Sequence, residues 1–267
     1  MIWWHAVFLG IVQGVTEFLP VSSSGHLAIF ENFLAMSQAT LTFDIMLHLG
    51  TLAAVIVFFR KQLLALSKDS LFKIGIATLP IVLAGALLKP IVEALRTDMS
   101  ALVITYIFTA TLLFIADRFL ALEKDGQTWT FVEKIHSYVT GKTSPSVLQA
   151  FIVGLFQVLA VLPGISRSGT TVAAGAISGI PAETAFSFAF LISIPAVAGA
   201  VVLDLLDVVQ EGNVMALPWN IYTLGAITSA LVGFAALSIL KWFVAKRMLW
   251  PFSLYCLLVS ILLFFVA

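Results

Sequence analysis

Two short polar stretches in an otherwise apolar chain carry the residue types that do chemistry. The first reads Gln13-Gly-Val-Thr-Glu17-Phe-Leu-Pro20-Val-Ser22-Ser23-Ser24-Gly25-His26. Gln13 and Glu17 are four residues apart and share a helix face. The second reads Pro163-Gly164-Ile165-Ser166-Arg167-Ser168-Gly169-Thr170-Thr171. Together they offer one carboxylate, one imidazole, one guanidinium and the hydroxyls of Ser22, Ser23, Ser24, Ser166, Ser168, Thr170 and Thr171. Gly25, Gly164 and Gly169 let backbone approach a ligand closely. A helix that starts after such a stretch aims N–H groups and a positive dipole end at an anion.

Arg167 is the most informative of these residues. It is the only Arg or Lys that the charge pattern leaves outside the loops, and an intramembrane charge is costly enough to suggest function. Its planar fork suits a pair of phosphate or carboxylate oxygens. The competing reading is an Arg167–Glu17 ion pair that merely locks two segments together. Glu17 is otherwise a general base or, with Gln13 beside it, a ligand for a divalent cation, Mg²⁺ or Ca²⁺. Mg²⁺ is commonly held by one or two carboxylates plus substrate phosphates. His26, inside a polar stretch, suits acid–base or nucleophilic work. Asp44 and His48, four apart further on, are read as packing or as support for the site, and His5 and His136 as uninvolved.

The elements that position these residues are membrane helices. Of 267 residues 61% are hydrophobic and 10% charged, and the mean hydropathy is +1.08; soluble domains carry about 25% charged residues. The 14 basic residues offset 14 acidic ones, so no basic excess points to nucleic acid. One cysteine, Cys256, excludes an internal disulfide and a cysteine-based zinc site. The opening MIWWHAVFLG lacks the basic flank of a secretory leader and is read as mature sequence. Runs suited to spanning are Met99–Ala116, Thr184–Leu203, Gly212–Leu240 and Met248–Ala267, with Ile45–Phe59 and Ile74–Leu88 reaching span length if their flanks are included. Eleven of the basic residues fall into three loops: Arg60, Lys61, Lys68 and Lys73; Arg118, Lys124, Lys134 and Lys142; Lys241, Lys246 and Arg247. A fourth loop holds Lys89, Glu93, Arg96 and Asp98, and a fifth Asp204, Asp207 and Glu211. The basic loops are expected in the cytoplasm.

A shift of 144 residues carries Gly10-x-x-Gln13 onto Gly154-x-x-Gln157 and Ser22-x-Ser24-Gly25 onto Ser166-x-Ser168-Gly169. The span that ends at basic Arg60 then corresponds to one that ends near acidic Asp204, so the halves should run in opposite directions. The expectation is an all-α polytopic bundle of two inverted-topology repeats. Residues 1–121 form the first repeat, with a re-entrant helical hairpin at about 1–36 followed by three spans. A cytoplasmic linker covers 122–146. Residues 147–267 form the second repeat, with a hairpin at about 147–180 and three spans. The polar stretches are the hairpin tips, and non-helical backbone is tolerated at that depth where protein or a watery cavity surrounds it.

At these residues the chain resembles the bacterial undecaprenyl-diphosphate phosphatase family, also called the bacitracin-resistance family. Its first motif, [E/Q]xxxE followed by Pro, a serine cluster and Gly-His, is met by Gln13, Glu17, Pro20, Ser22, Ser23, Ser24, Gly25 and His26. Its second, PGxSRSxxT, is met by Pro163, Gly164, Ser166, Arg167, Ser168 and Thr171. The resemblance covers essentially the whole chain. It implies hydrolysis of undecaprenyl diphosphate, a membrane lipid, to undecaprenyl phosphate and inorganic phosphate. This recycles the carrier for cell-wall polymers and gives resistance to bacitracin, which competes for the substrate rather than the protein. It also implies a bacterial cytoplasmic-membrane location with the site toward the extracytoplasmic side. Ser24-Gly25-His26 also resembles a motif of lipid phosphatases of the phosphatidic-acid-phosphatase type. That family needs a second histidine after its Ser-Arg, and none follows Arg167.

Phosphoryl transfer needs an in-line nucleophile and stabilised equatorial oxygens. Glu17, Ser23, His26 and Arg167 are the candidate catalytic residues. Ser22, Ser24, Gly25, Gly164, Ser166, Ser168 and Thr171, with Arg167, are the candidate phosphate binders, and Glu17 with Gln13 the candidate metal ligands. His26 attacks phosphorus itself, or activates Ser23 or a water. The alternative is a polyprenyl-phosphate flippase or anion carrier that exposes one arginine site alternately.

Overall fold

The computed structural model describes residues 2–34, 41–96, 98–124, 144–210 and 218–266. The regular elements among them are all α-helices: α1 (Trp3–Phe18), α2 (Ser23–Phe33), α3 (Leu41–Phe58), α4 (Arg60–Leu64), α5 (Lys68–Arg96), α6 (Met99–Lys124), α7 (Val147–Leu159), α8 (Arg167–Ile177), α9 (Ala182–Gln210), α10 (Trp219–Ala245) and α11 (Trp250–Val266). Three stretches are long and apolar enough to cross a membrane: Met99–Leu122, Ala182–Leu206 and Trp219–Ala245. Thr42–Phe58 and Trp250–Val266 are shorter apolar helices. Lys134, Lys142, His136, Glu211 and most of the 122–146 linker lie outside the described residues.

Two expected loops are helical instead. Lys89, Glu93 and Arg96 fall inside α5, which also contains Pro80 and Pro90, and Asp204 and Asp207 fall inside α9. Lys, Glu and Arg are good helix formers, so α5 continues past its apolar run; in α9 the leucines flanking Asp204, Leu203, Leu205 and Leu206, carry the helix on. Both have 29 residues, about 43 Å at 1.5 Å per residue, more than a hydrocarbon core needs.

The four helices that carry the polar tips are too short to span. They hold 16, 11, 13 and 11 residues, where a span takes about 20. Each pair doubles back on itself. Phe8 of α1 meets Phe30 of α2 edge-on at 5.1 Å. Gln149 Nε2, in the first turn of α7, donates to the carbonyl of Ser178 just past α8 at 2.9 Å.

Neither pair is held mainly by its own half of the chain. α1 packs on α10, and α7 on α5; α10 also packs on α3, and α5 on α9; α6 pairs with α11, and α3 with α9. At one end of the molecule Arg60 and Lys61 after α3, Phe186 early in α9 and Lys241 late in α10 line a common cleft. At the same end the Asp117 carboxylate of α6 accepts from the backbone N–H of Leu249 and Trp250 at 2.7 and 2.9 Å. Lys73 near the start of α5 reaches Ser144 there at 3.2 Å. At the other end Phe43 of α3 meets Tyr222 of α10 at 5.3 Å, in a cluster with Ala6 and Leu9 of α1.

The α3–α10 crossing is close because Gly50 has no side chain: a Cβ there would run into the backbone carbonyl of Ala226. Gly50→Ala must push the helices apart, and overpacking of this kind costs about 1–3 kcal/mol. The expected result is a lowered thermal midpoint of the purified protein; an unchanged midpoint would mean that the crossing relaxes freely.

Candidate active site

The tips are shaped by proline, glycine and serine. Pro20 disfavours a helical conformation at Leu19, whose ψ of 142° ends α1. Ser22 then takes φ +68°, a left-handed conformation that costs a non-glycine residue about 1–3 kcal/mol. Two bonds hold it: the Ser22 carbonyl accepts from His26 Nδ1 at 2.7 Å, and Ser22 Oγ caps α2 by accepting from the Gly25 N–H at 3.4 Å. The second tip repeats the cap, Ser166 Oγ accepting from the Gly169 N–H at 3.1 Å. Here the left-handed residue is Gly164, φ +87°, packed where a Cβ would strike Thr105 Oγ1. Thr109 Oγ1 of α6 donates to the Gly164 carbonyl at 3.1 Å and accepts from the Ser166 N–H at 3.3 Å.

The tips meet at Glu17, whose side chain is 4% exposed. Its Oε1 accepts from Arg167 Nη2. Its Oε2 accepts from Ser23 Oγ at 2.6 Å and from Gln13 Nε2 at 3.2 Å. His48 Nε2 stands 3.9 Å from Oε2, while its Nδ1 donates to the Asp44 backbone carbonyl at 2.8 Å, not to the carboxylate. Ser168 Oγ donates to the Leu19 carbonyl at 3.3 Å and closes the seam between tips. Arg167 bonds through Nη2 alone among the described residues, and its side chain is 21% exposed. A guanidinium has five donors, so most of its fork is left for a ligand.

The remaining predicted residues serve the tips themselves. Ser22 and Ser24 hydroxyls lie 3.4 Å apart, those of Ser166 and Ser168 3.2 Å. Thr170 and Thr171 donate to carbonyls of their own helix, those of Ser166 and Arg167, at 2.6 and 2.8 Å. Gly25 leaves room for a neighbouring ring, since a Cβ would lie 2.6 Å from the Tyr106 hydroxyl; at Gly169 the neighbour is Pro20, at 3.0 Å.

His26 stands apart from Glu17. Its Nδ1 carries the proton, because the Ser22 carbonyl can only accept. The Tyr106 hydroxyl lies 2.9 Å from the same nitrogen. Nε2 is then the lone-pair nitrogen of the neutral ring, and it accepts from the Tyr255 hydroxyl at 2.7 Å. The Tyr255 ring is stacked on the imidazole, centroids 5.6 Å apart and planes 10° apart. Sequence reasoning singled out neither tyrosine, nor Thr109. Thr105 and Thr109, four apart in an apolar run beside Tyr106, form a polar strip that marks the face of α6 turned to the tips.

Comparison with known proteins bears on what such a site does. A family model described as bacitracin resistance protein BacA matches residues 6–262. An undecaprenyl-diphosphatase of Trichlorobacter lovleyi is 36% identical over 269 residues, covering 94% of this chain and 92% of its own. One of Desulfatibacillum aliphaticivorans is 37% identical over 277 residues, covering 97% of each chain. One of Methanobrevibacter smithii is 34% identical over 287 residues, covering 97% of this chain and 96% of its own.

Proposed function

Because the chain belongs to the bacitracin resistance protein BacA family, we propose that its two facing tips form one diphosphate-hydrolysing site. The protein is a membrane-embedded undecaprenyl-diphosphatase: it hydrolyses undecaprenyl diphosphate to undecaprenyl phosphate and inorganic phosphate. One observation carries the assignment of the site. A single buried carboxylate, Glu17, holds the Ser23 hydroxyl at 2.6 Å and also the one cation that the other tip supplies, Arg167.

Arg167 turns its free donors to the oxygens of the terminal phosphate, which replace Glu17 as partner and neutralise charge in the transition state. Ser23 Oγ attacks the terminal phosphorus, its proton passes to Glu17 Oε2, and the bridging P–O bond breaks to leave undecaprenyl phosphate. Glu17 hands that proton to the departing phosphate oxygen, takes one from the water that attacks the phosphoserine, and returns it to Ser23 Oγ as inorganic phosphate leaves. Ser166, Ser168 and Ser24 are the further hydroxyls of the tips, which phosphate oxygens would recruit in place of their present partners. His26 is a positioning residue here. Its Nδ1 holds Ser22 in its left-handed turn, one residue before the nucleophile, and its Nε2 is covered by Tyr255. The isoprenoid tail lies among apolar helix faces.

A divalent cation, Mg²⁺ or Ca²⁺, fits beside this arrangement. Gln13 Oε1 is buried without a hydrogen-bond partner and sits one helical turn from the Glu17 carboxylate. An amide and a carboxylate oxygen suit a hard cation that shares the substrate's phosphates. When bound it would supply further neutralisation of phosphate charge. No cluster of three or more His, Cys, Asp or Glu occurs among the described residues, so a cation held by Glu17 and Gln13 would rely on the substrate's own oxygens for further ligands.

The directions of the helices support inverted-topology repeats with re-entrant hairpins. Under the 144-residue shift α3 corresponds to α9, α5 to α10 and α6 to α11. The first member of each pair runs oppositely to the second with respect to the basic end. α1 starts at the far end and α7 at the basic end. Among the described residues the basic stretches, Arg60, Lys61, Lys68 and Lys73, Arg118, and Lys241, Lys246 and Arg247, gather at that one end, which supports its placement in the cytoplasm of a bacterial cell, with the first hairpin opening to the extracytoplasmic side.

Phosphate release from a polyprenyl diphosphate by purified protein in detergent tests this reading. Chelation is expected to lower release by about tenfold or more, restored by Mg²⁺ or Ca²⁺. No release from metal-restored wild type would leave only the carrier. Tyr255→Phe removes the hydroxyl on His26 Nε2 and keeps the stacked ring. One hydrogen bond contributes about 1 kcal/mol to stability, so the thermal midpoint should fall only slightly, while kcat should fall by up to about tenfold with KM unmoved. A loss of stability without a change in kcat would reduce the tyrosine to packing.

A further inference from the structure

Away from the tips, a cleft of about 340 Å³ combines a cationic rim with an aromatic floor. Arg60, Lys61 and Lys241 form the rim, and no Asp or Glu lines it. None of the three has an ion-pair or hydrogen-bond partner among the described residues. Lys73, Arg118 and Arg167, by contrast, each pair with a carboxylate. The floor is fixed by ring contacts: Phe58 meets Phe234 at 5.5 Å, and Phe59 meets Phe186 at 5.7 Å. On α10 the apolar face continues away from the rim through Phe234 and Leu231, both exposed.

We propose that this cleft binds one anionic phospholipid, with the headgroup phosphate among Arg60, Lys61 and Lys241 and the first acyl carbons over Phe58 and Phe234. The cations sit where the apolar runs of α3 and α10 end, the level of a headgroup. Three uncompensated positive charges call for an anion, and a zwitterionic headgroup leaves them uncompensated. A free inorganic anion satisfies the rim but leaves the phenylalanine floor in water. Small-molecule sites run from about 300 to 1,000 Å³. The cleft therefore takes a headgroup and the upper part of the chains, and the rest of the tails lie along α10. The proposal is independent of which residues perform the hydrolysis.

The test is lipid retention. Full-length protein in uncharged detergent is offered equal amounts of phosphatidylglycerol and phosphatidylcholine, and the lipid that survives delipidation is counted by native mass spectrometry. Arg60→Gln/Lys241→Gln is compared with Lys68→Gln/Lys246→Gln, which removes the same charge outside the cleft. Wild type and the control pair should keep a single phosphatidylglycerol and no phosphatidylcholine. The cleft pair should hold it about tenfold more weakly or worse. Equal retention by the two variants, or equal retention of the two lipids by wild type, would overturn the proposal. So would a polyprenyl phosphate displacing phosphatidylglycerol at lower concentration, since the occupant is then the product lipid. The wild-type comparison of lipids stands whatever the variants do.

Discussion

Arg167→Ala is expected to lower phosphate release by about a thousandfold or more, the scale on which arginines act at transferring phosphoryl groups. The variant alone does not separate chemistry from architecture, because removing one partner of a buried ion pair costs about 3–5 kcal/mol. Arg167→Lys makes the separation. It keeps a cation against Glu17 but replaces a planar fork with a point charge. Its thermal midpoint should stay near that of wild type while its kcat remains well below. Glu17→Gln/Arg167→Met is the complement, an uncharged pair of similar size that should recover stability and no activity. The geometry already argues against a pure lock, since a lock would engage the fork with two parallel bonds, and Arg167 spends one donor on Glu17. Full activity of Arg167→Lys would show that the arginine holds the tips together and does nothing more.

How much of this was legible beforehand follows from what each residue's environment imposes. Glu17 and Arg167 were readable because a charge in an apolar run needs a partner, and each tip offered the other only one. The tips themselves were readable because Pro20, Pro163, Gly164 and the capping serines interrupt helices by local chemistry. The ends of α5 and α9 were not, because Lys89, Glu93, Asp204 and Asp207 are compatible with both a loop and the last turns of a helix. Gly25 and Gly169 were readable as positions of close approach, but that their Cβ sides face the Tyr106 ring and Pro20 had no signal in the sequence. The tyrosines on His26 had no local signal at all. They lie 80 and 229 residues away in sequence, and only the packing of α2 against α6 and α11 brings them to the imidazole. The same holds for the interleaving of the halves, where Gly10 lies against the backbone of Gly225 on a helix more than 200 residues on.

The proposed nucleophile, Ser23, rests on one contact that the motif does not give. Ser23 Oγ already donates to the only carboxylate in the site, at 2.6 Å, as a nucleophile does to its general base. The imidazole makes its two bonds elsewhere, to the Ser22 carbonyl and the Tyr255 hydroxyl, and is 4% exposed. Ser23→Ala is therefore expected to lose at least about 10⁴-fold in kcat, the scale of removing a nucleophile. His26→Gln should lose about a hundredfold, because an amide can still reach the Ser22 carbonyl but packs less well between the tyrosines. Rapid quenching separates the chemistries directly, since a phosphoserine survives acid and a phosphohistidine does not. An acid-stable phosphate on the peptide that carries Ser23, present in wild type and absent from Ser23→Ala, is the expected result. A base-stable, acid-labile phosphate on His26 would move the attack to the imidazole and require Tyr255 to swing away from Nε2. No phosphoenzyme, together with substantial turnover by Ser23→Ala, would leave Glu17 activating water directly and return Ser23 to the role of a phosphate ligand.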